Sequence, residues 1–331
     1  MNFSNVTFPD FDDDDYKNWD FLPIIQIVTS VAAFFFNAAV LCCYTLYRRL
    51  RTPFSIYLMA LCVANLAHTI FASPIDILKM VHPTYVLGPR TCNFYVYAAY
   101  NTAGTTLNLH LLISLNRIWA MAHPFSYRTK HTTRIAAAAC LTVTAYVHLI
   151  CVPGIVQDSL YYRIPGTCFI NGTAQPRWTV FMQIVIFSLP IICIAIFYPF
   201  ITWKHCQRGK LHPHERTEVH SVDHAQRRTT ILPRSAVLSV APVPVLQQQQ
   251  SRRESMSRAF VVLTLLTISL IICEAPINTF FLIMTVAPQA LPMLETVGVV
   301  LYSLQPAMDP LLFIVSFRDL RRQLFRMLLC R

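Results

Sequence analysis

A chain of 331 residues with 55% hydrophobic and 13% charged residues carries 27 Lys+Arg against 16 Asp+Glu, a formal net charge of +11. A water-soluble protein has about 25% charged residues, so halving the charge while raising the apolar share points to lipid as the solvent, and the same apolar content excludes a disordered chain. The 11 cysteines are odd in number and mostly sit inside apolar runs, which excludes a dense disulfide scaffold; no GxxxxGK[ST], HExxH, GxSxG or paired CxxC occurs, so the chain is not read as an enzyme.

Residues 1–20 form an acidic tail with sequons at Asn2 and Asn5 and the run Asp10-Phe11-Asp12-Asp13-Asp14-Asp15-Tyr16. It lacks the apolar core of a cleavable signal peptide, so the first apolar run is expected to act as its own insertion signal. A hydrocarbon core needs about 20 apolar residues in helix, and seven such runs lie at roughly 21–47, 54–81, 89–122, 133–154, 177–203, 257–286 and 291–314. They are continuous rather than alternating, which fits helices and not a barrel. The expected fold is therefore an all-α membrane protein, a seven-transmembrane helix bundle over 21–314 that ends in a short amphipathic eighth helix within 315–331. Between the fifth and sixth runs, 204–256 is basic and low in complexity, with Gln247 to Gln250, and is expected to be disordered.

Of the 27 basic residues, 22 fall after the odd-numbered runs or at the inner end of the third, and five fall on the opposite side. The positive-inside rule then places the long loop and the C-terminus in the cytoplasm and the N-terminus outside. The three sequons, at Asn2, Asn5 and Asn171, all fall on the outer side, as glycosylation requires.

Marks inside the runs narrow the class. Asn37 lies mid-run in the first; Cys92 opens the third, which closes in Leu115-Asn116-Arg117-Ile118 with Pro124 beyond; Cys168 lies before the fifth. Pro190 and Tyr198 stand in the fifth, Cys273-Glu274-Ala275-Pro276 in the sixth, and Asp309-Pro310-Leu311-Leu312-Phe313 closes the seventh, followed by Phe317-Arg318. This ordered set resembles the rhodopsin-like (class A) G-protein-coupled receptors along nearly the whole chain outside the tail and long loop. The resemblance implies a Cys92–Cys168 disulfide over the outer face, proline hinges at Pro190, Pro276 and Pro310, Arg117 as the G-protein contact, and Tyr198 as support for the open state.

The departures from the family pattern carry the specific expectations. Where the family has Asp/Glu-Arg-Tyr, this chain has Asn116-Arg117-Ile118, so the acid that restrains the arginine is missing; Glu254 is a loose substitute at best. A weak resting lock with raised basal signalling is one reading, and a resting state held by packing alone is the other. The family's mid-membrane sodium site pairs an Asp in the second span with an Asn in the seventh, whereas here Asn65 and Asp309 exchange those roles, with Thr106 as a hydroxyl on the third span. Either a Na+ ion sits among them or a protonated Asp309 donates to Asn65, the simpler reading; no other cofactor or metal is expected. Phe313 replaces the motif tyrosine and removes its hydroxyl.

Glu274 stands where the family has the tryptophan that floors the ligand pocket. A carboxylate at that depth is costly unless paired, hydrogen-bonded or neutral, so it either anchors a cationic ligand group or bonds to neighbours such as Asn278, four residues on, or Tyr302. The register turns Ala99, Tyr100, Ala103, Met182, Gln183, Asn278, Phe281, Glu295, Val299 and Tyr302 toward the same pocket. Ala99 takes the place where amine receptors of the family carry an Asp, which argues against a monoamine.

Arg227-Arg228-Thr229-Thr230 and Arg252-Arg253-Glu254-Ser255 resemble basophilic phosphorylation sites, with Thr230 and Ser255 as acceptors, and Cys330 follows an amphipathic stretch suited to palmitoylation. The expected protein is a plasma-membrane receptor that converts an extracellular ligand into heterotrimeric G-protein activation, with membrane lipid as its surroundings and no nucleic-acid partner. The acidic outer surface favours a peptide, including a neuropeptide. A chemosensory receptor for a small molecule and a non-signalling decoy or scavenger are the alternatives.

Overall fold

A computed structural model describes residues 21–82, 87–210, 243–286 and 291–329, and at 200–202, 204–210, 243–263 and 328 the backbone alone. Among the described residues every regular element is helical: α1 (Phe21–Leu46), α2 (Pro53–Val81), α3 (Gly88–Ala122), a short helix Pro124–Lys130, α4 (Thr133–Tyr162), α5 (176–210), α6 (Val243–Val286), α7 (Pro292–Ser316) and α8 (Arg318–Leu328). Local chemistry sets several ends. Thr52 accepts from the Ser55 N–H at 3.2 Å while the Ser55 hydroxyl oxygen accepts from the Thr52 N–H at 2.8 Å, a reciprocal cap with Pro53 at the first helical position. Thr132 caps α4 through the Ile135 N–H at 3.3 Å. At the far end of α1, the Arg51 Nε donates to the Tyr44 carbonyl at 2.8 Å, tying down an otherwise orphaned acceptor.

Six helices are long and apolar enough to cross a membrane by themselves, namely α1, α2, α4, α5, α6 and α7. The third run departs from the expectation of continuous apolarity, because α3 is the central helix and buries Asn101, Thr105, Thr106, Asn108, His110, Ser114 and Asn116 against its neighbours instead of facing lipid. The bundle is polar inside and apolar outside: Asn37, Asn65, Gln305 and Asp309 are buried, while Phe35, Leu141, Leu149, Ile196 and Ile272 are exposed. That inversion is what a chain solvated by hydrocarbon requires.

The helices overrun the expected spans. α4 continues to Tyr162 rather than ending near 154, through a widened turn at Asp158–Tyr162. α5 reaches Lys210 and α6 begins at Val243, so both ends of the 204–256 stretch expected to be disordered are helical; the Gln-rich segment has no Pro or Gly after Pro244 to stop a helix. Residues 211–242 and the acidic tail lie outside the described residues, as do the candidate modification sites Asn2, Asn5, Thr230 and Cys330 and the side chains of Glu254 and Ser255.

Prolines shape the bundle by freeing carbonyls. Pro310 has no N–H for the Pro306 carbonyl, and the Asn37 Nδ2 of α1 donates to that oxygen at 2.7 Å. Likewise Pro190 leaves the Ile186 carbonyl without its helical donor, a wide turn forms over Gln183–Ser188, and the Asn108 Nδ2 of α3 donates to it at 3.0 Å. Each asparagine thus satisfies a group that hydrocarbon cannot, and in doing so fixes one helix against another.

Two apolar clusters fill the ends. At the disulfide end Val96, Leu107, Val147, Met182, Ile186 and Ile194 pack between α3, α4, α5 and α6. At the opposite end Leu58, Leu61, Leu109, Ile113, Phe313 and Leu320 pack between α2, α3, α7 and α8. α8 buries Leu320 and Leu324 and exposes Phe325, the amphipathic arrangement expected of it. Near the disulfide end, the Trp178 Nε1 donates to the Ile150 carbonyl at 3.1 Å, and its indole lies directly against Gly154, where an added Cβ would overlap the ring. Gly154→Ala is therefore expected to lower stability by about 1–3 kcal/mol, read as a fall in the unfolding temperature of the purified protein.

Candidate functional site

The polar groups of the bundle lie at four levels. At the disulfide end Cys92 and Cys168 are bonded, joining α3 to the loop before α5 as the resemblance implied. A brace surrounds the link: Arg163 pairs with the fully buried Asp158 at 2.7 Å and donates to Asn93 at 2.5 Å, and Asp158 accepts from the Asn171 N–H at 2.8 Å. Lys79 lies 3.9 Å from the Phe169 ring centroid and 4.4 Å from that of Tyr95, donates to the Tyr95 hydroxyl at 3.1 Å, and Tyr95 in turn donates to Asp76. Asn171, the sequon in the described residues, donates its Nδ2 to the Tyr162 carbonyl at 2.9 Å.

Below this lies the set expected to face a ligand. Glu274 is buried and accepts from the Asn278 Nδ2 at 3.3 Å, one helical turn along α6. The Gln183 Nε2 of α5 reaches the Asn278 carbonyl at 3.5 Å. Of the two neighbours expected for Glu274, Asn278 is bonded to it, whereas the Tyr302 hydroxyl meets His68 Nε2 at 3.5 Å and stands edge-on to that ring. His68 is also in contact with Thr102 through Nδ1 at 2.9 Å. Ala99, Tyr100 and Ala103 border the disulfide-end cluster with the buried Met182, and Tyr100 packs edge-on to Phe187. Phe281, two turns beyond Glu274, is 49% exposed and edge-on to Phe280, outside the buried polar set. Glu295 is exposed in the first turn of α7 and Val299 is half-buried.

The centre belongs to Asp309, fully buried on α7. The expected trio comes together: the Asn65 Nδ2 donates to Asp309 Oδ2 at 3.0 Å, and the Thr106 hydroxyl donates to Asn65 Oδ1 at 3.3 Å. The direction corrects the expectation that Asp309 donates to Asn65. With its carbonyl oxygen accepting from Thr106, the amide presents its NH2 to the carboxylate. Two groups absent from the expectation complete the shell. His110 Nε2 lies 3.2 Å from Asp309 Oδ2 and the Gln305 Nε2 donates to Oδ1 at 2.7 Å. Both stand four residues from members of the trio, His110 from Thr106 and Gln305 from Asp309, so helical spacing alone would have put them on the right faces.

At the other end stands Arg117. Among the described residues no carboxylate pairs with it, and its guanidinium carbon lies 3.5 Å from the centroid of the Phe54 ring at the start of α2, with Phe54 in turn 6.3 Å from Phe317. Its Nε is buried without a hydrogen-bond partner. Beside it an aromatic stack forms at the short helix: His131, just past its end, stacks on Tyr127 at 4.3 Å and meets the Tyr57 hydroxyl through Nε2 at 3.1 Å, with Trp119 edge-on to Tyr127 at 5.2 Å. Burial, and then the Arg117 charge, hold the His131 pKa below its ordinary value, so the neutral ring can accept that bond. Asn116 does not face Arg117 but donates to the Tyr127 hydroxyl at 3.4 Å. Phe313 is fully buried, Tyr198 is half-buried on α5, and Pro276 and Pro310 lie within α6 and α7.

A family model described as "7 transmembrane receptor (rhodopsin family)" matches residues 36–313. The chain is 26% identical over 196 residues to the muscarinic acetylcholine receptor gar-3 of Caenorhabditis elegans, covering 56% of this chain and 31% of that protein. It is 27% identical over 179 residues to the 5-hydroxytryptamine receptor 1D of Oryctolagus cuniculus, covering 54% and 47%, and 26% identical over 199 residues to the muscarinic acetylcholine receptor M4 of Xenopus laevis, covering 59% and 40%. The matches thus span less than half the length of each of these relatives.

Proposed function

Since this chain belongs to the rhodopsin family of seven-transmembrane receptors, we propose that it converts binding of an extracellular ligand at the disulfide end into activation of a heterotrimeric G protein at the arginine end. The observation that carries the reading is the state of Arg117, a half-buried cation that, among the described residues, is held by an aromatic face and not by a carboxylate. Release of Arg117 from Phe54 breaks no ion pair among the described residues and frees the guanidinium for a partner. The plasma membrane, with the N-terminus outside, is the orientation that the basic residues favour.

The ligand is one with a cationic group, with a peptide preferred over a small amine. Glu274 offers a buried carboxylate whose bonds in the described residues come from Asn278. Ala99 withholds the acid where an amine receptor would carry it, which sets this chain apart from the acetylcholine and 5-hydroxytryptamine receptors it is similar to. The acidic tail adds charge of the same sign.

Ligand-free G-protein activation in transfected cells, at matched surface expression, tests the signalling role. The native chain is expected to give a basal signal that Arg117→Ala removes. Equal output from both, or no output from the native chain even when the Phe54 contact is removed, would leave a ligand-binding decoy in its place. Glu274→Gln is expected to leave the basal signal in place and to weaken the response to basic peptides.

A further inference from the structure

The mid-membrane site of this family implies a sodium ion, and the residues here do not fit one. A hard cation is held by oxygens offering lone pairs. Around Asp309 the order is reversed. Oδ2 receives the Asn65 Nδ2 at 3.0 Å and faces His110 Nε2 at 3.2 Å, and Oδ1 receives the Gln305 Nε2 at 2.7 Å. The amide oxygens of the cluster are also engaged: Asn65 Oδ1 accepts from Thr106 at 3.3 Å and Gln305 Oε1 accepts from Ser269 at 3.4 Å. Among the described residues no grouping of His, Cys, Asp and Glu forms a metal cage. All three side chains within hydrogen-bond distance of the Asp309 carboxylate reach it with nitrogen and not with oxygen.

We infer that the imidazole of His110 occupies the place of the cation, so that this bundle is closed at its centre by its own side chain and takes no sodium. The exchange of Asp and Asn between α2 and α7 makes this workable. With the carboxylate on α7, helix α3 passes on the side that carries Thr106 and His110, and His110 links α3 to α7 while Asn65 links α2 to α7. Ser269 and Gln305 extend the same network to α6, so four helices are tied through one carboxylate. His110 is a positioning residue, acting on the geometry of Asp309 and not on ligand.

The test reads thermal unfolding of the full chain in lipid nanodiscs, in sodium chloride against N-methylglucamine chloride at about 0.15 M, and it does not depend on whether the chain signals. The native protein is expected to show the same unfolding temperature in both salts. His110→Leu removes the donor and leaves Asp309 Oδ2 with Asn65 alone, so sodium is expected to raise its unfolding temperature by about 2–4 °C over N-methylglucamine. A native protein that sodium stabilises selectively overturns the inference, and this arm needs no variant. A His110→Leu protein as indifferent to sodium as the native one overturns the role of His110, because Asn65 and Gln305 would then exclude the ion unaided. Should His110→Leu fail to fold, His110→Ser, which removes the ring and leaves a short hydroxyl on α3, serves as the variant with the same two outcomes.

Discussion

Asp309→Ala is expected to remove most folded protein from the cell surface. The substitution takes one carboxylate from the side-chain nitrogens of Asn65, His110 and Gln305, residues that are 1%, 4% and 1% exposed. An orphaned buried donor costs about 1–3 kcal/mol. Even with one of the three finding a new acceptor, the loss reaches about 3 kcal/mol, a large part of the 5–15 kcal/mol that holds a typical protein folded. Asp309→Asn keeps one acceptor oxygen and is expected to lose distinctly less. Surface labelling and the unfolding temperature of both variants check the ordering; equal losses would mean that the cavity and not the hydrogen-bond shell sets the effect.

Phe54→Ala is expected to raise ligand-free signalling. The Arg117 guanidinium lies over the Phe54 ring at 3.5 Å in a half-buried pair, and a cation–π contact contributes from about 0.5 kcal/mol when exposed to about 2 kcal/mol when desolvated. If the resting bundle alone makes that contact, its removal shifts the resting-to-active ratio by up to about 30-fold. Phe54→Tyr keeps the ring and is expected to stay near the native level. Asn116→Asp, added to Phe54→Ala, supplies a carboxylate adjacent in sequence to the arginine and is expected to bring the signal back down only if the Asn116 side chain leaves Tyr127, to which it now donates. Second-messenger output normalised to surface expression decides. An unchanged signal in Phe54→Ala would show that packing, rather than the aromatic contact, restrains Arg117.

The resting state of Arg117 shows how far the sequence could be read. That the acid is missing is plain from Asn116-Arg117-Ile118. That Phe54, 63 positions earlier in the chain, takes over is not, because nothing in the local pattern around Phe54 marks it as anything but an apolar residue at a helix start. Beside the weak lock and the packing-only resting state foreseen from the sequence, the structure sets an aromatic ring against the Arg117 guanidinium, and the Phe54→Ala signal decides among the three. The ligand-facing set divides in the same way. Glu274 and Asn278 lie one turn apart on one helix and meet as their spacing dictates, whereas Tyr302 turns to His68 on another helix, a choice made by the relative rotation of α2 and α7.

What the sequence by itself determined is the membrane class, the helix count and the chemical anomalies. Hydrophobic run length answers to the thickness of the bilayer, and motif residues such as Arg117, Pro276 and Pro310 keep their order whatever the packing. The family resemblance, read position by position, also placed Asn65, Thr106 and Asp309 near one depth. The tertiary structure alone decided which groups share the carboxylate, that Asn65 donates to Asp309 while accepting from Thr106, and that Asn37 and Asn108 reach across 269 and 78 residues to carbonyls that Pro310 and Pro190 set free. The reason is geometric: periodicity fixes which side chains lie on one face of one helix, but hydrogen bonds act over about 3 Å, and only the rotation and approach of neighbouring helices bring a donor from one face within that distance of an acceptor on another.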